Sequence, residues 1–432
     1  MSASKNKLGK GAALSLVVGN MVGAGIFLLP SALGAFGGIS LFGWLISAGG
    51  AFALSIVFGK LSQFMPDKGG GPYVYSRAGF GDFVGFLVAW GYWISIWITN
   101  ASIAIAFAGY LSVFFPIVGE SIPSVLTGLG VLWFLTWTNT LNIKRVGRIQ
   151  LITTVLKVLP LLSVAISGMF FINLDHFEPF NISGESNIVA IMAASTLTLF
   201  AFQGLESASI ASDKVVDSKK VVGIATRVGV VIAIVVYILG SASVMGVVPP
   251  EQLAVSKAPF ADAAEIMWGG WARYLVAAGA VISTFGALNG WIFLQGQLPR
   301  AIAQDKLFPA LFKTENKNSA PVLGIVLSSV LASILMIMNS QKGLVKAFEF
   351  MILLSTLSCL IPYVFSTLSF GLFVITDRYG KVARFGYVIG TIVALSFSLW
   401  AIIGSGLIVA LWGMILLAAG VPIFFWVKNR RA

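Results

Sequence analysis

The sequence is poor in the residues that soluble chemistry needs. It holds one cysteine, Cys359, and one histidine, His176, in 432 residues. A lone cysteine excludes a disulfide framework. Together the two leave no metal-ligand cluster and no Ser-His-Asp set that could be assembled inside the chain. Charge is scarce too: 10% of the residues are charged, where a soluble domain carries roughly 25%. So few charges cannot cover a water-facing surface. No stretch is of low complexity, and no soluble domain stands apart. No cleavable leader is expected, because the N-terminus is polar and the first apolar run is too long for one. The net charge of +12 does not indicate nucleic acid, since the basic residues are scattered and form no basic domain.

What is abundant is apolar length. Hydrophobic residues make up 58% of the chain, in recurrent continuous runs. About 20 such residues cross a hydrocarbon core of roughly 30 Å as a helix. Continuous rather than alternating runs exclude a membrane β-barrel. The pattern predicts about twelve membrane helices, near 11–36, 41–64, 82–115, 122–142, 149–173, 188–212, 222–248, 272–303, 321–339, 345–375, 384–403 and 406–427.

The basic residues act as topology signals. With the N-terminus in the cytoplasm, 23 of the 28 Lys and Arg fall on the inner side. The outer side takes only Lys257, Arg273, Lys342 and Lys346, and Lys157 falls inside a span. That asymmetry places both termini in the cytoplasm of a cell whose inner membrane holds the protein. The acidic loop around Asp175, His176, Glu178 and Glu185 then lies outside.

The first span carries Gly19-Asn20-Met21-Val22-Gly23-Ala24-Gly25. Its glycines each weaken a helix by about 1 kcal/mol relative to alanine. They permit either close helix packing or a helix that unwinds around Val22–Gly25. An unwound segment frees backbone N–H groups that can hold a carboxylate, helped by the positive end of the next half-helix. The sixth span offers a matching break at Phe200-Ala201-Phe202-Gln203-Gly204-Leu205-Glu206. Paired interruptions of this kind point to a transporter's substrate site. Lys157 and Glu206 are the ionisable side chains well inside spans, and both are functional candidates. Trp291 follows Asn289-Gly290 in the middle of a span, where an indole face could hold a cation. Asn100, also within a span, could hydrogen-bond the same group.

The motifs GNMVGAGIFLLP, GWLISAGGAFALSIVFGKLS, FQGLESAS, APFADAA and GALNGWIFLQGQ, with Tyr92-Trp93 to Asn100, resemble the amino acid–polyamine–organocation superfamily. Within it they resemble the basic amino acid/polyamine antiporters, over essentially the whole chain. The resemblance implies an all-α membrane protein of the LeuT type. Its five-plus-five inverted repeat would comprise 11–173 and 188–375, with helices one and six broken and two further helices at 384–427. It implies a substrate site formed by Met21, Ala24, Gly25, Ser95, Ile96, Asn100, Phe200, Gln203, Trp291 and Ser355. Tyr92, Phe200, Glu206 and Tyr363 would form gates. Ala24 stands where these antiporters have a carboxylate-contacting serine, Ile96 replaces a cysteine, and Phe200 replaces a tryptophan. Lys157 replaces a small apolar residue and becomes a candidate coupling group.

The function expected is an amino acid permease. It would exchange cationic amino acids and their amines, such as arginine and agmatine. The alternatives are a proton-coupled symporter or broad exchanger of neutral amino acids using Lys157, and a transporter-like membrane sensor. No enzyme activity, cofactor, metal or nucleic-acid partner is expected. The partners are a small amino acid or amine and the lipid bilayer, with a homodimer left open.

Overall fold

The structure is a computed structural model that describes residues 9–66, 68–141, 159–376 and 384–429. Among them every regular element is helical. The first span divides into α1 (Lys10–Met21) and α2 (Ala24–Gly34). It is followed by α3 (Ser40–Phe64), α4 (Pro72–Leu111), α5 (Ser121–Leu141) and α6 (Leu159–Gly168). The sixth span supplies α7 (Asn187–Leu199), a 3₁₀ turn at Phe200–Phe202 and the short α8 (Ser207–Ile210). Then come α9 (Ser218–Val247), α10 (Pro250–Leu253), α11 (Pro259–Trp268) and α12 (Gly270–Gln304). The chain continues as α13 (Val322–Met338), α14 (Leu344–Ile375), α15 (Arg384–Gly404), α16 (Leu407–Ala418) and α17 (Gly420–Asn429).

Nine helical segments among the described residues are long and apolar enough to cross a membrane, and three shorter apolar ones join them. These twelve follow the order of the expected spans. Many large apolar side chains remain exposed, among them Leu126, Leu275, Ile403 and Leu407. A surface of that chemistry belongs against lipid tails and not water.

The core is built around α4, which packs along α14 and α12. In α4, 89% of the apolar window is buried, whereas only 22% is in each of the last two spans. Those two therefore lie at the periphery. The third span departs from its expected start at 82. Gly71-Pro72 begins the helix ten residues earlier, with proline in the first turn, where its missing N–H costs nothing. Arg77 and Asp82 dilute the hydropathy of that segment, so the apolar run understates the helix. A kink at Gly81, φ 83°, marks where the apolar run takes over.

Candidate functional site

Both segments nominated as interruptions are broken where the sequence predicts. In the first span Val22 (φ −74°, ψ 80°) and Gly23 (φ −130°, ψ −148°) leave the helical region. In the sixth, Gln203 is extended and Gly204 sits at φ 99°. A φ this far into the positive region favours glycine. Space demands glycine there as well, since a Cβ on Gly204 would lie 3.0 Å from the Asn20 Cβ. The two breaks are tied together by the Asn20 amide, which donates to Ser207 Oγ at 2.8 Å.

The breaks enclose a cavity of only about 10 Å³, lined by Asn20, Met21, Gly23, Gly25, Thr99, Ile103, Phe200, Ala201, Gln203 and Trp291. That is space for about one water molecule. The first turn of α2 leaves the N–H groups of Ala24, Gly25 and Ile26 without intrahelical acceptors, and no side chain caps them. The helix dipole makes this end positive. Facing it are the carbonyl ends of α1 and α7. The Asn20 and Met21 carbonyl oxygens lie within 4.0 Å of where a Gly23 Cβ would stand. Opposed positive and negative backbone ends suit a zwitterion. Trp291 adds a buried indole, 3% exposed.

Of the residues the sequence nominates, Met21, Gly25, Phe200, Gln203 and Trp291 line this cavity. Ala24 opens α2. Ser95, Ile96, Asn100 and Ser355 are buried just behind the lining. Ser355 Oγ is 2.7 Å from Thr99 Oγ1 and donates to the Ser95 carbonyl (3.0 Å) or to Gln203 Oε1 (3.1 Å). These contacts lock the Gln203 side chain between α4 and α14. Asn100 binds Gln295 of α12, at 2.6 Å. Lys157 lies outside the described residues.

Sequence reasoning passed over Asn20, Gly23, Thr99, Ile103 and Ala201 as lining residues. Thr99 and Ile103 follow Ser95 by four and eight residues, so helical spacing puts them on its face. The spacing was a usable signal.

On one side of the cavity Glu206 is fully buried. Its carboxylate accepts from Tyr92 Oη at 2.5 Å and from Tyr363 Oη at 2.8 Å. Each of the three sits on a different helical segment, so the carboxylate staples α4, α14 and the sixth-span break. Farther toward that end, Asp305 joins α12 to the start of α4, accepting from Tyr73 Oη at 3.0 Å with Arg77 at 3.7 Å. On the opposite side Phe200 meets Phe348 edge-on at 6.2 Å. Beyond it, Phe27 is flanked edge-on by Tyr110 at 5.5 Å and Phe260 at 5.6 Å. Tyr110 Oη also donates to the Phe27 carbonyl at 2.6 Å. The cavity is thus closed on both sides. A larger crevice of about 600 Å³ opens between α4, α13, α14 and α16. Its walls are mostly apolar, among them Trp90, Trp97 and Leu331, and neither helix break reaches it.

A family description, amino acid permease, matches residues 8–427. The chain belongs to the amino acid permease family. The permease is 32% identical to the arginine/ornithine antiporter of Pseudomonas aeruginosa, an alignment covering 99% of this chain and 92% of that protein. It is 34% identical to the cadaverine/lysine antiporter of Escherichia coli K12, over 79% of this chain and 78% of the relative. It is 30% identical to the putrescine transporter PotE of Haemophilus influenzae, over 100% and 99%. Its fold is that of the manganese transporter of Eremococcus coleocola, with a TM-score of 0.61 and 12% identity over 98% of this chain and 94% of that one. The permease is therefore an integral membrane transporter of the LeuT type, with its first and sixth helices broken.

Outside the spans, α11 caps the Phe27 side of the permease. There Asp262 accepts from Ser256 Oγ, and Arg273 stands 3.5 Å away. Burial pushes the Asp262 carboxyl up from its ordinary value, against the opposing pull of Ser256 and Arg273. An acid raised in the folded state binds its proton more readily when folded than unfolded. Its burial is therefore least costly below the raised value, and stability is lost as pH rises through it. Arg273→Gln should consequently destabilise the cap by about 1 kcal/mol or less, and more at pH 8 than at pH 4, near the ordinary carboxyl value. Thermal midpoints at the two pH values test the sign.

Proposed function

We propose that the permease exchanges cationic amino acids with their amines across the inner membrane. The observation that carries this is the juxtaposition, in one closed cavity, of opposed helix ends and a buried tryptophan. The α2 N-terminus would take the α-carboxylate, the carbonyl ends of α1 and α7 the α-ammonium, and Trp291 the side-chain cation. The names of the relatives support the same reading: arginine with ornithine, lysine with cadaverine, putrescine. Residues 11–173 and 188–375 act as two inverted repeats that put the broken helices in corresponding places, with 384–427 outside them.

The family and the names of the relatives favour a transporter over an enzyme. Tyr92, Glu206 and Tyr363 form the inner gate, and Phe200 with the Phe27 cluster forms the outer one. The 23-to-4 basic asymmetry supports cytoplasmic termini. The cavity is too small for an amino acid, so binding requires the half-helices to part. Alternation between such closed and opened forms is transport.

Radiolabelled arginine uptake into proteoliposomes tests this. Uptake should require unlabelled amino acid or amine inside and be insensitive to a pH gradient. Uptake into empty vesicles driven by a proton gradient would point to the symporter reading through Lys157. Binding without uptake would point to a sensor. Trp291→Leu should weaken arginine and lysine by about 1–2 kcal/mol, the size of a desolvated cation–π contact, and norleucine less. Equal weakening of all three, measured by competition binding, would remove Trp291 from cation recognition.

A further inference from the structure

The end of α12 is closed in a way that favours glycine, yet the residue there is lysine. The Lys306 N–H donates to the Ala303 carbonyl at 2.9 Å, and the Leu307 N–H donates to the Ile302 carbonyl at 3.0 Å. This pair of bonds holds the residue just past the helix cap in the left-handed region, where glycine is the usual occupant. Lys306 adopts it at φ 62°, a conformation that costs a residue with a Cβ some stability. What glycine could not supply is the ammonium.

Lys306 lines a pocket of about 720 Å³ between the loop after α12 and the end of α17, and Lys313 and Thr314 line it too. Neither lysine has an ion-pair partner among the described residues. The nearby acids are engaged elsewhere: Asp305 with Tyr73 and Arg77, and Glu315 with Arg300 at 2.8 Å. The rest of the lining is largely apolar. Phe308 is anchored against Phe86, Trp90 and Trp93 of α4. Leu311 and Trp426 are 66% and 44% exposed, although the stretch 313–318 beside Leu311 is wholly polar. Trp426 belongs to the end of the last apolar span, the depth at which tryptophan marks a bilayer boundary. The basic asymmetry puts this end of the protein on the cytoplasmic side.

We propose that this pocket binds an anionic glycerophospholipid of the inner leaflet. Its phosphate sits between Lys306 and Lys313, and its acyl chain runs along Leu311, Phe308 and Trp426 into the bilayer beside α17. Basic pockets between spans on the cytoplasmic side suit anionic head groups. The apolar wall decides for a lipid over a free anion, because a free phosphate would engage the lysines and leave Leu311 and Trp426 uncovered.

The test is the thermal midpoint of the full chain in an uncharged detergent, with rising mole fractions of phosphatidylglycerol or phosphatidylcholine. Phosphatidylglycerol should raise the midpoint saturably, as a ligand of the folded state does, and phosphatidylcholine should raise it much less. One lysine beside an anionic head group is worth about fivefold in affinity. Lys306→Gly and Lys313→Gln should therefore each raise the half-saturating fraction about fivefold. Lys306→Gly should do so without lowering the lipid-free midpoint, because glycine suits that backbone; a lysine kept for structure alone would give the reverse, a lower midpoint and an unchanged half-saturating fraction. Lys317→Gln, near the pocket but outside its lining, should leave the half-saturating fraction unchanged. A loss in Lys317→Gln as large as in the other two would mean diffuse surface attraction and overturns the proposal. So does an equal response to phosphatidylcholine, or no saturable response at all. A response to inorganic phosphate equal to that to phosphatidylglycerol overturns it as well, because the apolar wall would then contribute nothing.

Discussion

Replacing Glu206 with leucine is expected to destabilise the protein by about 2–6 kcal/mol and to abolish exchange. The figure follows from the two phenols the carboxylate satisfies. Tyr92 and Tyr363 are 2% and 1% exposed, and each donates to a different carboxylate oxygen. Removing a partner from a buried polar group costs about 1–3 kcal/mol, and here two are orphaned at once. The effect on transport should exceed the effect on stability if the three residues form the proposed inner gate, whose segments would separate and rejoin in each cycle. Glu206→Gln tests this separation of roles. The amide keeps the volume and one acceptor, and one phenol can reverse to accept from the new NH₂. The variant should fold, losing about 1 kcal/mol, yet exchange at least about tenfold more slowly, because its gate closes on a weaker staple. Thermal midpoints in detergent and counterflow rates in vesicles give the two numbers. A leucine variant that exchanges at the wild-type rate would exclude Glu206 from gating.

The helix breaks were legible in the sequence because they are local. Three glycines within seven residues, and Gln203-Gly204 before a buried Glu206, announce weak helix wherever they fall. The twelve apolar segments were legible for the same reason, since each depends only on its own composition. The start of α4 was partly legible: Gly71-Pro72 is a start signal, but the charged Arg77 and Asp82 outweighed it in a hydropathy reading. Asn100 shows what local pattern cannot carry. It is polar and mid-span, which marks it, but its partner Gln295 is 195 residues away. Nothing in either stretch says that the amide faces α12. The same holds for Thr99 and Ser355, whose pairing depends on how closely α14 lies along α4.

Gly25→Ala should separate amino acids from amines. A Cβ at Gly25 would stand 3.0 Å from Phe200 Cδ1 and 3.3 Å from the Ala201 Cα. The ring can yield a few tenths of an ångström, but the backbone of the sixth-span break resists. The cavity, about 10 Å³, has no room to absorb the methyl. The added carbon also stands beside the N–H groups of Ala24, Gly25 and Ile26, where the α-carboxylate would sit in the field of the α2 dipole. Charge-assisted bonds to a carboxylate are worth about 1.5–3 kcal/mol, so displacing the carboxylate should weaken arginine by about ten- to a hundredfold. Agmatine has the same guanidinium and chain length but no carboxylate. It should lose only the steric part, about threefold or less in affinity. Competition binding of the two ligands to wild type and variant measures the difference. Equal losses would mean that the methyl acts by crowding alone, and that the carboxylate is held somewhere other than the N-terminus of α2.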